Sequence, residues 1–378
     1  MEAKVKKNLF LLSLTTFGYY IVVGVALSVF SIVLKENNVN DFLIGLSDSI
    51  RRISGIVFML FIPYLVNKFG LYKISLISIF LYTITLLLMP FFVNYYLWIF
   101  YIVLFGCGMM AFMTFIDSVL NVISHDENRS RMNAFLNVIV MLAIAFAPIV
   151  LKFTGSKSYF IFAICGILNM INLVCYSKLK TEYKNINFIK SLKLSKFLKE
   201  QPYVFLSKIF LEFAGTTLFI FTVIYANSKG YSYEDAGLLL SLYSLSGLIF
   251  SYPTGYLFDK VKNKESLLIN GTIISIVLFS LIPVFVFNSK ILFILYFLLG
   301  ISTGIMHLGC LILMNENYKK DELVSANSTL SLVGGISMIF AGIVSGYFMQ
   351  YFNSMTTSIV ILGIMYILII IENKKIKI

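Results

Sequence analysis

Residues 53–69 read ISGIVFMLFIPYLVNKF, and residues 245–261 read LSGLIFSYPTGYLFDKV. At one offset of 192, Ser54 faces Ser246, Gly55 faces Gly247, Phe58 faces Phe250, Tyr64 faces Tyr256, Leu65 faces Leu257 and Lys68 faces Lys260. A second match sets FAPIV at 146–150 against FAGIV at 340–344, and Asn133 against Asn327, at an offset of 194. Two matches at nearly one spacing are hard to obtain from apolar composition alone. Self-similarity at a fixed period marks a duplicated architecture, so the chain reads as two copies of one plan.

Composition names the solvent of that plan. Apolar residues make up 59% of the 378 residues and charged residues 13%, against about 45–50% and about 25% in soluble domains. That surplus of hydrocarbon needs lipid or other helices around it. The net charge of +12 does not point to nucleic acid, because the basic residues sit in short blocks between apolar segments and so act as topology signals.

A transmembrane helix needs about 20 apolar residues to cross a hydrocarbon core about 30 Å thick. By that ruler the sequence predicts spans near 9–34, 42–66, 71–91, 96–122, 133–153 and 158–177, then 203–227, 235–258, 265–287, 290–314, 323–347 and 354–371. The expected fold is an all-α polytopic membrane protein of twelve transmembrane helices in two pseudo-symmetric six-helix bundles. The halves are 1–177 and 203–378, joined by a basic linker, 178–202. Of the 30 Lys and Arg, 22 fall on one side of the alternating connections and 5 on the other. The positive-inside rule then places both termini in the cytoplasm and requires an even number of spans. Within the linker, FIKSLKLSKFL (188–198) is amphipathic at helical spacing, which reads as a solvated helix between the halves. Its lysines are also placed to meet anionic headgroups. The first apolar run is too long for a cleaved signal peptide. Cys107, Cys165, Cys175 and Cys310 lie inside apolar segments without metal-ligand spacing and read as small core residues.

The duplicated six-span plan, with PYLVNKFGLYK (63–73) after span 2 and GYLFDKVKNK (255–264) after span 8, resembles the major facilitator superfamily. That family carries the signature G-x-L-x-D-(R/K)-x-G-(R/K)-(R/K) between spans 2 and 3 and a weaker copy between spans 8 and 9. Leu65, Lys68, Gly70 and Lys73 match the first copy, where Pro63 and Asn67 stand for the glycine and the acid. Gly255, Leu257, Asp259, Lys260 and Lys264 match the second, where Lys262 replaces the later glycine. The resemblance implies a cytoplasmic gate at Asn67, Lys68, Gly70, Gly255, Asp259 and Lys260, with the acid kept only in the second half. IDSVLN (116–121) followed by ENRSR (127–131) has a looser similarity to a bacterial branch of the family with poorly assigned substrates. The glycine-rich antiporter motif of span 5 is mostly missing from AIAFAPIV, 143–150.

Ionisable groups inside a membrane are costly and face a bundle interior or an aqueous cavity. SDSIRRISGIVF (47–58) carries Asp48, Arg51 and Arg52 inside span 2. Three- and four-residue spacings bring Asp48 to the same helix face as the arginines. One carboxylate cannot satisfy two guanidinium groups of five donors each. In span 7, Lys208 and Glu212 repeat the arrangement at i and i+4 in VFLSKIFLEFAG; span 10 carries His307 and span 4 ends near Asp117. All these spans line the central cavity in the family plan. Spans 3, 6, 9 and 12, expected to face outward, carry no interior charge.

The expected function is secondary active transport of a small polar, anionic organic solute across the cell membrane by alternating access, coupled to protons. Arg51, Arg52 and Lys208 bind the anionic group, since guanidinium pairs bidentately with carboxylate and phosphate oxygens. Asp48, Glu212 and His307 act as charge partners or proton carriers; Asp117 belongs with the gate. Burial disfavours the charged form of a carboxylate, which is the physical basis for a protonation step. Tyr19, Tyr20, Phe213, Phe219, Tyr243 and Tyr252 are candidate cavity walls. Two alternatives stand beside this. One is efflux of cationic drugs by proton antiport, with the acids in charge. The other is a membrane sensor on the same frame that transports nothing. A membrane enzyme would need convergent nucleophile or metal ligands, and the two histidines, His125 and His307, do not supply them. No metal, cofactor or nucleic acid is expected as a partner, and the family default is a monomer.

Overall fold

The computed structural model describes residues 2–91, 94–123, 129–147, 158–178, 194–318 and 320–376, and among them all regular structure is helical. The helices are α1 (Glu2–Glu36), α2 (Asp41–Phe69), α3 (Leu71–Leu88, continued by a 3-10 turn Met89–Phe91), α4 (Tyr95–Ile123), α5 (Arg129–Phe146) and α6 (Ser158–Ser177). A short helix α7 (Leu194–Glu200) precedes α8 (Pro202–Ser228), α9 (Tyr233–Ile249), α10 (Ser251–Lys260), α11 (Lys264–Phe285), α12 (Ser289–Asn317), α13 (Lys320–Phe352) and α14 (Thr357–Ile376). Among the described residues, nine helices are long and apolar enough to cross a membrane, ten if α9 and α10 form one span. Each of the twelve expected segments overlaps a helix or that bent pair, and the end of the fifth, 148–153, lies outside the described residues. The two outside that count are α5, only part of which is described, and α14, whose described apolar stretch, Thr357–Glu372, is shorter.

Local chemistry sets the helix starts. Ser232, Asn263 and Asn288 cap α9, α11 and α12, their side-chain oxygens accepting from the backbone N–H of Asp235, Ser266 and Ile291 at 3.1, 2.9 and 3.2 Å, which satisfies donors the helix leaves open. Pro202 opens α8 at a position where its missing N–H costs nothing. Gly70, at φ 83, makes the turn between α2 and α3 in a conformation that disfavours any side chain. The expected span 235–258 is not one straight rod. It bends by 43° between α9 and α10, because Pro253 cannot donate to the carbonyl of Ile249 and its ring crowds that carbonyl.

The chain divides into two compact units, one of Met1–Val39 with Ile50–Phe188, the other of Asn40–Ser49 with Ile189–Ile378. The early part of α2 thus packs in the second unit. In the first unit the core is aromatic: Phe30 lies edge-on to Trp98 and Phe105, with ring centroids 5.8 and 5.0 Å away, and Tyr82 sits 4.7 Å from Phe105. In the second unit, hydroxyl pairs join helices: Ser207 with Thr272 and Tyr366 (3.2 and 3.0 Å), Thr222 with Tyr296 (3.1 Å), Thr217 with Ser345 (2.6 Å) and Ser275 with Ser302 (2.9 Å). Where lipid removes the hydrophobic driving force between helices, such hydrogen bonds and close packing hold them together.

The duplication extends to atomic contacts. In the first unit α2 crosses α4 at Gly106, where a Cβ would lie 2.2 Å from the Arg51 carbonyl oxygen and 2.6 Å from the Ser54 hydroxyl. In the second, α9 crosses α12 at Gly300, where a Cβ would lie 2.0 Å from the Tyr243 carbonyl oxygen and 2.0 Å from the Ser246 hydroxyl. Ser54 donates to the Arg51 carbonyl at 2.8 Å and Ser246 to that of Tyr243 at 3.0 Å. Arg51 and Tyr243 therefore occupy equivalent places in the two copies. Lys68 lies over the Tyr64 ring (5.9 Å to the centroid) and Lys260 over that of Tyr256 (4.5 Å), a further equivalent pair.

The helix expected over 188–198 starts later, at Leu194, and residues 179–193 lie outside the description. α7 is not simply solvated. Phe197 is fully buried and its ring stacks 6.4 Å from that of Tyr318. Tyr318 donates to Glu200 at 2.8 Å and Lys196 donates to Glu322 at 3.1 Å. Burial and the Glu200 carboxylate push the Tyr318 hydroxyl's pKa well above its ordinary value. Of the four cysteines, Cys165 and Cys310 are buried, while Cys107 and Cys175 are partly open.

Candidate functional site

Glu212 sits on α8, the most buried of the membrane-length helices. Between Phe210 and Ala226, the only residues of α8 that are not buried are Glu212, Gly215 and Phe219. Their spacing puts them on one stripe of the helix, and Lys208, four residues before Glu212, continues it. Lys208 and Glu212 form an ion pair along this stripe, with 14% and 18% of their side chains exposed. Gly334 of α13 backs the pair: a Cβ there would lie 3.0 Å from Cε of Lys208 and 3.1 Å from Cγ of Glu212. At Gly215 a Cβ would meet nothing within 4 Å, so space opens one turn beyond the carboxylate.

Two hydrogen-bonding side chains lie within electrostatic reach of the pair. His307 of α12 lies within electrostatic reach of both Lys208 and Glu212. One turn earlier, Thr303 bonds the Tyr243 hydroxyl, which is itself within reach of Glu212. The Phe219 and Tyr243 rings meet edge to face, 6.2 Å apart. The structure thus brings together Lys208, Glu212, His307, Phe219 and Tyr243 of the residues singled out in the sequence, and adds Thr303, Gly215 and Gly334. Thr303 had one faint signal, its place one turn before His307. The glycines had none, because the space beside a glycine is decided by its neighbours.

The arginines are placed differently. Arg51 in the first unit is 3% exposed, and its Nη1 approaches the Met109 sulfur at 3.3 Å. Tyr19 donates to the Met109 carbonyl at 2.9 Å, and Tyr82 lies within electrostatic reach of Arg51. Arg52 is half-buried. Asp48 is 8% exposed and belongs to the second unit, on the same unbroken helix as the arginines. All three side chains are engaged within the chain. Asn67, Lys68, Asp259 and Lys260 are exposed at the ends of α2 and α10, Gly255 is half-buried, and Gly70 forms the turn. The side chain of Asp117 and all of His125 lie outside the described residues. Among the described residues, no cluster of His, Cys, Asp or Glu has the makings of a metal site.

Known proteins place this geometry in context. The family described as Major Facilitator Superfamily matches residues 12–292 and 204–372. No curated protein matches the chain in sequence. Solved structures do resemble it. The nucleoside transporter NupG is 14% identical with a TM-score of 0.77, covering 96% of each chain. The peptide transporter POT, in complex with sulfate, is 13% identical with a TM-score of 0.73, covering 97% of this chain and 94% of that one. A D-xylose–proton symporter is 16% identical with a TM-score of 0.73, covering 97% and 96%. At such identities these likenesses establish the fold alone.

Proposed function

From the premise that the chain belongs to the major facilitator superfamily, a family of membrane transporters, we propose that it moves a small polar organic solute with an anionic group across the cell membrane by proton-coupled alternating access. The observation that carries this reading is the Lys208–Glu212 pair on the open stripe of a helix that is otherwise buried from Phe210 to Ala226. A charged pair inside a membrane helix is costly, and its partial exposure beside free space makes it reachable by a solute. Lys208 receives the anionic group. Glu212, with His307 in reach, is the group that takes up and releases the proton. Arg51 and Arg52 add positive charge, and Asp48 is their balancing acid. The similar structures are transporters of a nucleoside, of a peptide and of D-xylose with a proton, which supports a polar cargo. Both termini lie in the cytoplasm, and the loops after α2 and α10 form the gate, with Asp117 at its edge.

Flux into proteoliposomes tests this. An imposed proton gradient is expected to drive accumulation of a polar carboxylate or phosphate by the wild type. In Glu212→Gln the gradient should no longer drive accumulation. Movement of lipophilic cations alone, unchanged in Lys208→Gln, would overturn the reading in favour of drug efflux. No flux of any solute would point to a sensor.

A further inference from the structure

We propose that the Lys208–Glu212 pair selects a zwitterion of the α-amino-acid type, its carboxylate going to Lys208 and its ammonium to Glu212. The inference rests on the reading of this stripe as the solute site.

The charge balance carries the argument. Lys208 and Glu212 neutralise each other in the unliganded site. While Glu212 is ionised, a solute with a single negative charge can take Lys208 only by leaving that carboxylate without its partner in a poorly solvated place, which is strongly unfavourable. A single cation has the converse problem. A zwitterion replaces both halves of the pair at once, so neither charge is stranded. His307 and Tyr243, within electrostatic reach of the pair, and Thr303, bonded to Tyr243, are hydrogen-bonding groups that carry no permanent charge. Gly334 holds the aliphatic stems from behind and Gly215 leaves room in front of the carboxylate. Side chains at i and i+4 have Cβ atoms about 5–6 Å apart, which suits two charges carried on one carbon.

A purely structural role explains the pair less well. Helix stabilisation favours Glu on the N-terminal side of Lys, and here Lys208 comes first. A pair removed from water also adds little over apolar residues of equal size, and α8 is otherwise packed through apolar and hydroxyl side chains.

Binding to the purified full chain in detergent tests the idea, read as a rise in melting temperature. The probes are the twenty common L-amino acids and, for each that acts, its amide and its N-acetyl derivative. At least one amino acid should stabilise the wild type, with both single-charge derivatives at least about tenfold weaker, a loss of about 1.4 kcal/mol. Lys208→Gln and Glu212→Gln should each abolish the shift. Each single change strands a charge that disfavours folding, whereas K208Q/E212Q strands none, so it should fold and still not bind. The exchange K208E/E212K should restore part of the shift. The proposal is overturned if no amino acid binds, if an N-acetyl derivative or an amide binds as well as its parent, or if K208Q/E212Q binds normally. Flux separates this from the transport reading. An amino acid that binds but is never moved leaves the zwitterion site standing without transport. An organic anion that is moved while no amino acid binds leaves transport standing without this site.

Discussion

At Glu212 the cost of a mutation depends on what is left behind. Glu212→Gln leaves the Lys208 ammonium, only 14% exposed, without its counter-charge, whereas the double change removes both charges. Thermal unfolding should show the single variant about 1–3 kcal/mol less stable than wild type, below the range for fully buried pairs because some water reaches the site, and K208Q/E212Q close to wild type. Gly342 sets a different limit. A Cβ there would lie 2.5 Å from the Gly45 carbonyl oxygen, and one on Gly45 would lie 2.0 Å from the Gly342 oxygen. Ser49 donates to the Ile339 carbonyl at 2.6 Å across the same contact. Backbone cannot move aside as a flexible side chain can. Gly342→Val is therefore expected to lower stability by at least about 1–3 kcal/mol, while Gly255→Ala, where a Cβ meets nothing within 4 Å, should be neutral or slightly stabilising in the same assay. The i, i+4 spacing of Lys208 and Glu212 was plain in the sequence. The closeness of Gly334 was not, because it joins residues far apart in the chain.

Among the elements, α7 shows how a local pattern underdetermines its partner. The alternation of lysine with Leu and Phe in 188–198 predicts an amphipathic helix, and α7 is one over Leu194–Glu200. Whether its apolar face meets lipid, water or protein is a question the pattern leaves open. Phe197 is buried against Tyr318, so protein is the answer for this turn. Phe197→Ala should loosen α7 by about 3 kcal/mol, read as faster proteolysis between 178 and 202 with little change in the unfolding of α8–α14. The Tyr318–Glu200 bond also has a pH signature. The pKa of Tyr318 is raised in the folded state, so the contribution is complete below pH about 10. It is lost only as pH rises through the raised value, and protection from proteolysis should persist across neutral and mildly alkaline buffers. The bend between α9 and α10 had its cause in view at Pro253. Yet Pro63, two positions later in the aligned repeat, sits inside an unbroken α2, so proline placement alone does not decide where a span breaks.

On the scale of the whole molecule, alternating charge in the connections is the main handle on topology. A fluorescent protein fused after Ile378 should fold in the cytoplasm, and a cysteine replacing Lys229 should react with a membrane-impermeant reagent from outside. Labelling at position 229 only after permeabilisation would invert the topology. The sequence by itself determined the helical membrane fold, the duplication and most of the charged residues at stake, because hydrocarbon content, span length and a repeat near 192 residues are properties of the chain read in one dimension. It also pointed to the equivalent ends of α2 and α10, where Lys68 and Lys260 make the same contact with Tyr64 and Tyr256. Only tertiary structure decided that Arg51 is buried against Met109 while Lys208 and Glu212 keep an open edge. The physical reason is that exposure inside a bundle is set by which helices cross and how closely. Those crossings depend on glycines such as Gly106 and Gly300, which meet backbone some 50 residues away in the chain.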